Sequence, residues 1–149
     1  MKIRSFIVIA AASLAAISSN ALASDVTVES RFGKLYHDQG ELMFKDTPIS
    51  PETNIANKKD VLKKFELADR DVFIVDQSHN CRQTFTIITV TKDAAWHSGD
   101  LGQCVDAPLE ISQSGQEIVV KVGKTLTYKY KPDGYIYLNG KKKNDSKML

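Results

Sequence analysis

Apolar and polar residues alternate along much of this chain with a period of two, the pattern of half-buried β-strands. The clearest case is Thr125–Lys131, in which Leu126, Tyr128 and Tyr130 share one face while threonine and lysine residues share the other. Pro132-Asp133-Gly134 follows as a strong turn. The pattern therefore predicts an antiparallel strand with one face in a core and one in water.

Two other segments are apolar without alternating. Val72–Val75 is a continuous apolar run, typical of a strand that is covered on both faces. Thr84–Thr91 is rich in β-branched residues, and its apolar residues change from odd-numbered to even-numbered positions between Ile87 and Ile88. That switch predicts either a β-bulge or burial of both faces.

Further strands and connections follow from shorter patterns and from turn residues. The remaining strand candidates are Gly33–His37, Glu41–Lys45, Gln116–Val122 and Tyr135–Leu138. The turn candidates are Asp38-Gln39-Gly40, Gly123-Lys124 and Asn139-Gly140. Because it contains two prolines, Asp46–Thr53 is predicted to be an irregular connection.

A helix is predicted at one place only, Asn57–Glu66. Asn57 can act as its N-cap, and Val61, Leu62 and Phe65 fall on one helical face. About eight short strands and this helix predict a mainly β fold, an antiparallel β-sandwich or barrel with one short helix and one disulfide. An α+β sheet with the helix on one face is the alternative.

The first 23 residues have the organisation of a secretory signal peptide. Lys2 and Arg4 precede an apolar run, Phe6–Ile17, and Ala21-Leu22-Ala23 supplies a small-x-small cleavage site. We expect cleavage after Ala23, release into the periplasm, and one soluble domain over 24–149 with a basic C-terminal tail. The apolar run is too short to cross a ~30 Å hydrocarbon core, so no integral membrane segment is predicted.

Charge is distributed unevenly along the expected mature chain. Residues 24–120 carry 10 Lys/Arg against 16 Asp/Glu, whereas residues 121–149 carry 8 Lys against 2 Asp. Such polarity either steers a charged partner to one end or reflects two solvated surfaces. The segment from Lys141 onward is predicted to be a frayed tail, although Lys141-Lys142-Lys143 could touch anionic lipid or nucleic acid. These lysines lack interleaved aromatic residues, so no nucleic-acid partner is predicted.

Cys81 and Cys104 are the only two cysteines. In an oxidising compartment they are expected to form one disulfide, which in the chain-entropy model contributes roughly 3 kcal/mol to stability. The alternative is a zinc site formed by the two cysteines with His79 and His97. The sequence spacing of these four residues does not match the usual zinc-ligand patterns. We therefore predict no metal and no cofactor.

No catalytic constellation is present in the sequence. There is no Gly-x-Ser-x-Gly elbow and no phosphate-cradling glycine loop. Asp69, Asp71 and Asp76 resemble paired carboxylates, but Asp69-Arg70-Asp71 precedes a predicted strand and is interpreted as a solvated turn. The chain is therefore not expected to be an enzyme.

The segment between the cysteines contains the candidate partner-binding residues Trp96, His97 and Asp100. A loop pinned by a covalent bond loses less entropy on docking, and tryptophan is enriched among interface hot spots. The alternative interpretation is that Trp96 packs against the protein's own core.

Five features follow one another along the chain: Asp69-Arg70-Asp71-Val72, Cys81, the Thr/Ile-rich strand, Gly102-Gln103-Cys104 and the Tyr-x-Tyr strand before Asp-Gly. In this order of features the chain resembles a family of small exported bacterial proteins. In size and build the chain is also similar to periplasmic immunity proteins of the pesticin-immunity type. This resemblance implies a periplasmic immunity protein or inhibitor that neutralises a bacteriocin or basic wall hydrolase. A structural or assembly factor of the envelope, acting through strand edges, is the alternative.

Overall fold

All regular structure in the computed structural model, which describes residues 26–39, 41–50, 61–77, 83–143 and 148, is β-strand. The strands form three antiparallel sheets, each made of consecutive strands, and none of them is closed. Sheet A contains β1 (Val26–Ser30), β2 (Gly33–Asp38), β3 (Glu41–Phe44) and β4 (Thr47–Ser50). Sheet B contains β5 (Val61–Glu66), β6 (Asp71–Asp76), β7 (Thr84–Val90), β8 (Ala95–His97) and β9 (Leu101–Gly102). Sheet C contains β10 (Leu109–Ser114), β11 (Glu117–Val122), β12 (Leu126–Tyr130), β13 (Ile136–Leu138) and β14 (Lys141–Lys142).

Sheet B is buried on both faces because the other two sheets cover it. Val72 and Ile74 of β6 join one core with sheet C, and Phe73 and Val75 join a second core with sheet A. The sheet C residues of the first core are Ile118, Val120, Val122, Tyr128, Tyr130 and Ile136. The sheet A residues of the second core are Val28, Leu35, Leu42 and Phe44. The continuous apolar run of β6 is therefore confirmed as a strand covered on both faces.

In β7, the change of apolar residues from odd to even positions also results from burial of both faces. Strands β6 and β7 pair in continuous register, so there is no bulge between Ile87 and Ile88. Phe85 and Ile87 face the core shared with sheet C, while Ile88 and Val90 face the core shared with sheet A. Of the two possibilities, burial of both faces is correct.

The mainly β, antiparallel character is confirmed, but the predicted helix is wrong where the structure describes it. Val61–Glu66 is strand β5, and Asn57 lies outside the described residues. A register shift between Val61 and Lys63 places Leu62 in a bulge, where it is 44% exposed. Val61 packs towards sheet A and Phe65 towards sheet C. Because β5 pairs with β6, the three residues predicted to share one helical face instead point to sheet A, to sheet C and to solvent.

Two segments predicted to be irregular are also ordered. Thr47–Ser50 forms β4, and it tolerates Pro48 because β4 is an edge strand that needs no second partner. Beyond β14 the chain returns to the core: Met148 is fully buried, and its N–H donates to the Gly134 carbonyl at 2.8 Å. The prediction of a frayed tail from Lys141 is therefore wrong for these described residues, because an apolar side chain near the end docks on sheet C.

Asp69-Arg70-Asp71 is not the solvated turn that the sequence predicted. The Asp69 side chain is exposed and accepts bonds from Arg70 Nε and Nη2 at 2.7 and 2.9 Å. Arg70 itself is buried, and its Nη1 donates to the Tyr130 hydroxyl at 2.9 Å. Its Nη2 also reaches the Pro132 carbonyl at 3.3 Å. Arg70 therefore ties the start of β6 to sheet C.

Asp71 ties the same turn to sheet A. Its side chain is 0% exposed, and both carboxylate oxygens accept bonds from Arg31 in the β1–β2 turn: Oδ1 from Nε at 2.6 Å and Oδ2 from the backbone N–H at 2.7 Å. Lys64 Nζ lies 3.4 Å from Oδ2, and Arg31 also donates to the carbonyls of Leu67 and Arg70. We call Asp69, Arg70 and Asp71 the clasp, because together they bond the middle sheet to both outer sheets.

Replacing Asp71 by Asn should lower the free energy of unfolding by about 2–3 kcal/mol, because it removes a buried acceptor of charge-assisted hydrogen bonds. Asp93→Asn, in the exposed β7–β8 turn, is the matched control and should change stability by about 0.5 kcal/mol or less. Urea unfolding at neutral pH measures both. Equal midpoints for the two variants would contradict the role assigned to Asp71.

The clasp should also make stability depend on pH in acid. Hydrogen bonds from Arg70 lower the pKa of Asp69 below its ordinary value of 3.8. Its contribution to stability is therefore complete above that value and is lost as the pH falls through the lower, folded-state pKa. Between about pH 5 and pH 2.5, the urea midpoint of Asp69→Asn should fall less steeply than that of the parent. If the urea midpoints of Asp69→Asn and the parent fall in parallel over this pH range, the Asp69 carboxylate makes no net contribution to stability.

Candidate functional site

A short loop, Gln103–Ala107, leaves the sheets between β9 and β10 and is held at both of its ends. We call it the Cys104 loop. On its N-terminal side, Leu101 is buried in the core and pairs with Phe85 of β7. The next residue, Gly102, donates its N–H to the Tyr128 hydroxyl at 3.1 Å. Tyr128 is itself fixed edge-on against Phe85, with ring centres 5.4 Å apart.

Gly102 permits this approach of the loop to β7. Its φ is +100°, in the region that favours glycine, and a Cβ at this position would lie 2.2 Å from the Gln83 carbonyl oxygen. The following N–H, of Gln103, points to the same oxygen at 3.4 Å. Any side chain at Gly102 would therefore push the loop away from β7.

The C-terminal end of the Cys104 loop rests on the β11–β12 turn. The Gly123 N–H donates to the Pro108 carbonyl at 2.9 Å, and a Cβ on Gly123 would lie 3.1 Å from Ala107 Cβ. Within the loop, the Val105 N–H donates to the Gln103 carbonyl at 2.9 Å. The loop is therefore supported by sheet B on one side and sheet C on the other.

The middle of the loop faces solvent. Cys104, Val105 and Asp106 are all exposed, and Val105 is 41% exposed although it is a large hydrophobic residue. Cys104 is a half-cystine. The chain's other cysteine, Cys81, lies outside the described residues, so the predicted pairing stays a prediction.

Two exposed carboxylates lie close to Val105 in the sequence. Asp106 is the next residue, and Asp100 lies just before the loop. The loop therefore offers one exposed apolar side chain beside an exposed carboxylate.

The structure does not bring the three sequence-predicted site residues together on one surface. Trp96 and His97 are neighbours on β8, so their side chains point to opposite faces of sheet B. Trp96 is half-buried and packs against the core shared with sheet C, whereas His97 Nδ1 accepts the Gly99 N–H at 3.1 Å. Asp100 is exposed, and its Oδ1 lies 3.4 Å from the Thr86 hydroxyl.

Val105 and Asp106 were missed by reasoning from the sequence. The available signal was an apolar residue directly after a cysteine, between a glycine and Pro108, in a stretch that predicts no strand. The anchors from Tyr128 and Gly123 lie more than 15 residues away, and no local pattern indicates them.

The described residues contain no group of three or more His, Cys, Asp or Glu side chains that could hold a metal ion. His79 and Cys81 of the zinc alternative lie outside those residues. Across the described ranges there is likewise no helix long and apolar enough to cross a membrane.

Comparison with known proteins found no match: no family model, no curated protein and no solved structure is similar to this chain.

Gly102→Ala should displace the Cys104 loop, because the added Cβ meets the Gln83 carbonyl. Gly115→Ala is the matched control: it also has a positive φ, +58°, but nothing lies within 4 Å of an added Cβ. The control should cost about 1 kcal/mol in unfolding free energy, and Gly102→Ala at least about 2 kcal/mol more. Thermal melts and amide hydrogen exchange at 101–108 measure the difference. Equal losses would show that the close approach to β7 is not required.

Proposed function

We propose that this chain is an exported inhibitor of the immunity-protein type, which neutralises a basic bacteriocin or cell-wall hydrolase by binding it. The observation that carries the proposal is the Cys104 loop, with Val105 exposed beside Asp106 on a backbone held at both ends. Occlusion of the target's active cleft by this loop would need no chemistry from the inhibitor.

Rigidity of the loop favours binding. A segment that is already ordered loses little conformational entropy on docking, so more of its contact energy appears as affinity. An apolar side chain that enters a desolvated pocket is a typical interface anchor. Val105 has the exposure that such an anchor requires in the free protein.

Charge supports a basic target. Asp106 lies next to Val105 in the loop and Asp100 lies just before it, and both are exposed, so negative charge stands near the proposed anchor. Complementary charge raises the rate of encounter and disfavours acidic partners. Enzymes that act on anionic wall polymers are themselves suited to carry positive charge.

Location is the second element of the proposal. The basic start, apolar run and Ala21-Leu22-Ala23 at the N-terminus support export to the periplasm, where wall hydrolases and incoming toxins act. A half-cystine at Cys104 is in keeping with an oxidising compartment.

An envelope assembly factor is the second candidate, and the open sheets favour it. Strand β10, Leu109–Ser114, lies at the edge of sheet C and contains neither proline nor lysine, two residues that commonly protect edges. Such an edge can accept a strand from a partner. Loss of envelope assembly in cells lacking the protein, without sensitivity to any toxin, would favour this candidate.

The inhibitor proposal is tested by substituting Val105. Clearing of a peptidoglycan suspension by a basic lysozyme, and by any toxin encoded beside the gene, is measured with and without the purified protein. Val105→Arg should weaken inhibition at least about 30-fold, which corresponds to ~2 kcal/mol. Leu62→Arg is the matched control, since Leu62 is exposed to a similar degree but lies on strand β5, and it should inhibit like the parent.

Two results would overturn the proposal. One is a parent protein that inhibits none of these enzymes. The other is inhibition that responds equally to both variants, because binding would then not depend on the Cys104 loop.

A further inference from the structure

The outer face of sheet C collects lysine and tyrosine side chains that are separated in sequence. Strand pairing places Lys129 opposite Tyr137, and Tyr137 opposite Lys142, in one row across β12, β13 and β14. Lys131 and Tyr135 lie beside this row, joined by a backbone hydrogen bond of 3.1 Å. We call these five residues the Lys/Tyr face.

The lysine side chains lie over the tyrosine rings. Lys131 Nζ is 4.2 Å from the centre of the Tyr137 ring, and Lys142 Nζ is 3.2 Å from the centre of the Tyr135 ring. The Tyr137 hydroxyl donates to Asp133 at 2.7 Å, which restrains the position of this ring. Cation–π contact therefore holds the ammonium groups close to the sheet.

The face carries an excess of positive charge. Residues 121–143 contain seven lysines, one aspartate and no arginine. Glu117 is near two of the lysines, but its oxygens are 3.8 Å from Lys129 Nζ and 4.0 Å from Lys131 Nζ. Ion pairs of this length at the surface are weak, so the positive potential remains. A ligand of complementary charge must carry several anionic groups.

The composition of the face favours a layer of phosphates over a nucleic acid. Bases stack on free aromatic rings, and here ammonium groups cover the rings of Tyr135 and Tyr137. Arginine, whose bidentate fork is a common reader of base edges, is absent from residues 121–143. Lysine is a point charge that suits many equivalent phosphates.

We propose that the Lys/Tyr face docks on an anionic lipid membrane, with the ammonium groups at the phosphate headgroups. Tyrosine is suited to the headgroup level because its ring is apolar and its hydroxyl is polar. Each lysine near such a surface adds to the attraction, and salt weakens it. This proposal goes beyond inhibition by the Cys104 loop, which uses different residues.

The test measures binding to vesicles with the full chain. Sedimentation with vesicles of phosphatidylglycerol and phosphatidylcholine is compared with pure phosphatidylcholine vesicles at low and high salt. The variant K129Q/K131Q/K142Q should lose binding on the order of 100-fold. The matched control K34Q/K45Q/K92Q removes the same charge from exposed lysines outside sheet C and should bind within about threefold of the parent. Thermal melts verify that both variants fold.

Three outcomes would overturn the proposal: a parent that does not bind anionic vesicles, equal losses in the two triple variants, or equal binding to neutral vesicles. A labelled single-stranded oligonucleotide is titrated in parallel. Binding of the oligonucleotide that is tighter than binding to vesicles, and is lost in the sheet C variant, would also reject the membrane in favour of a nucleic acid. A folded K129Q/K131Q/K142Q variant that still inhibits a hydrolase separates this proposal from the inhibitor proposal.

Discussion

The buried carboxylate of Asp71 constrains the arrangement of all three sheets. A charge without solvent exposure is tolerated only if its oxygens are bonded, and here Arg31 and Lys64 supply the partners. Arg31 reaches Asp71 only when sheet A lies at one position on sheet B. The adjacent Arg70 reaches the Tyr130 hydroxyl only when sheet C does the same. Apolar packing alone would allow several offsets between layers, so the clasp selects one of them.

The sequence predicted the elements that local periodicity encodes. The alternation of β12 and the continuous run of β6 were correctly interpreted, because they report directly which faces are covered. The clasp was missed because charges beside a turn normally lie in water, and its partners are 40 and 60 residues away. Val61 and Phe65 gave a false helical signal for another reason. Residues four apart fall on one helical face, but here they belong to a strand in which a bulge turns the two side chains towards different sheets.

The candidate site was less accessible to sequence reasoning than the fold. Trp96 and His97 were grouped because they are adjacent, yet adjacency on a strand separates side chains to opposite faces. The Cys104 loop depends on contacts from distant residues, above all the bond between the Gly102 N–H and the Tyr128 hydroxyl. The Lys/Tyr face was missed for a related reason: its lysines and tyrosines alternate across strands rather than along them.

Strand β12 connects the two surfaces that we propose to be functional. Its inward-facing Tyr128 holds the base of the Cys104 loop, and the next residue, Lys129, points outward into the Lys/Tyr face. The loop carries an exposed aspartate whereas the face carries lysines, so a ligand whose charge suits one surface is disfavoured at the other. The two sets of contacts lie on opposite sides of one strand and share no residue. The proposed membrane anchoring and the proposed inhibition therefore depend on different side chains of the same molecule.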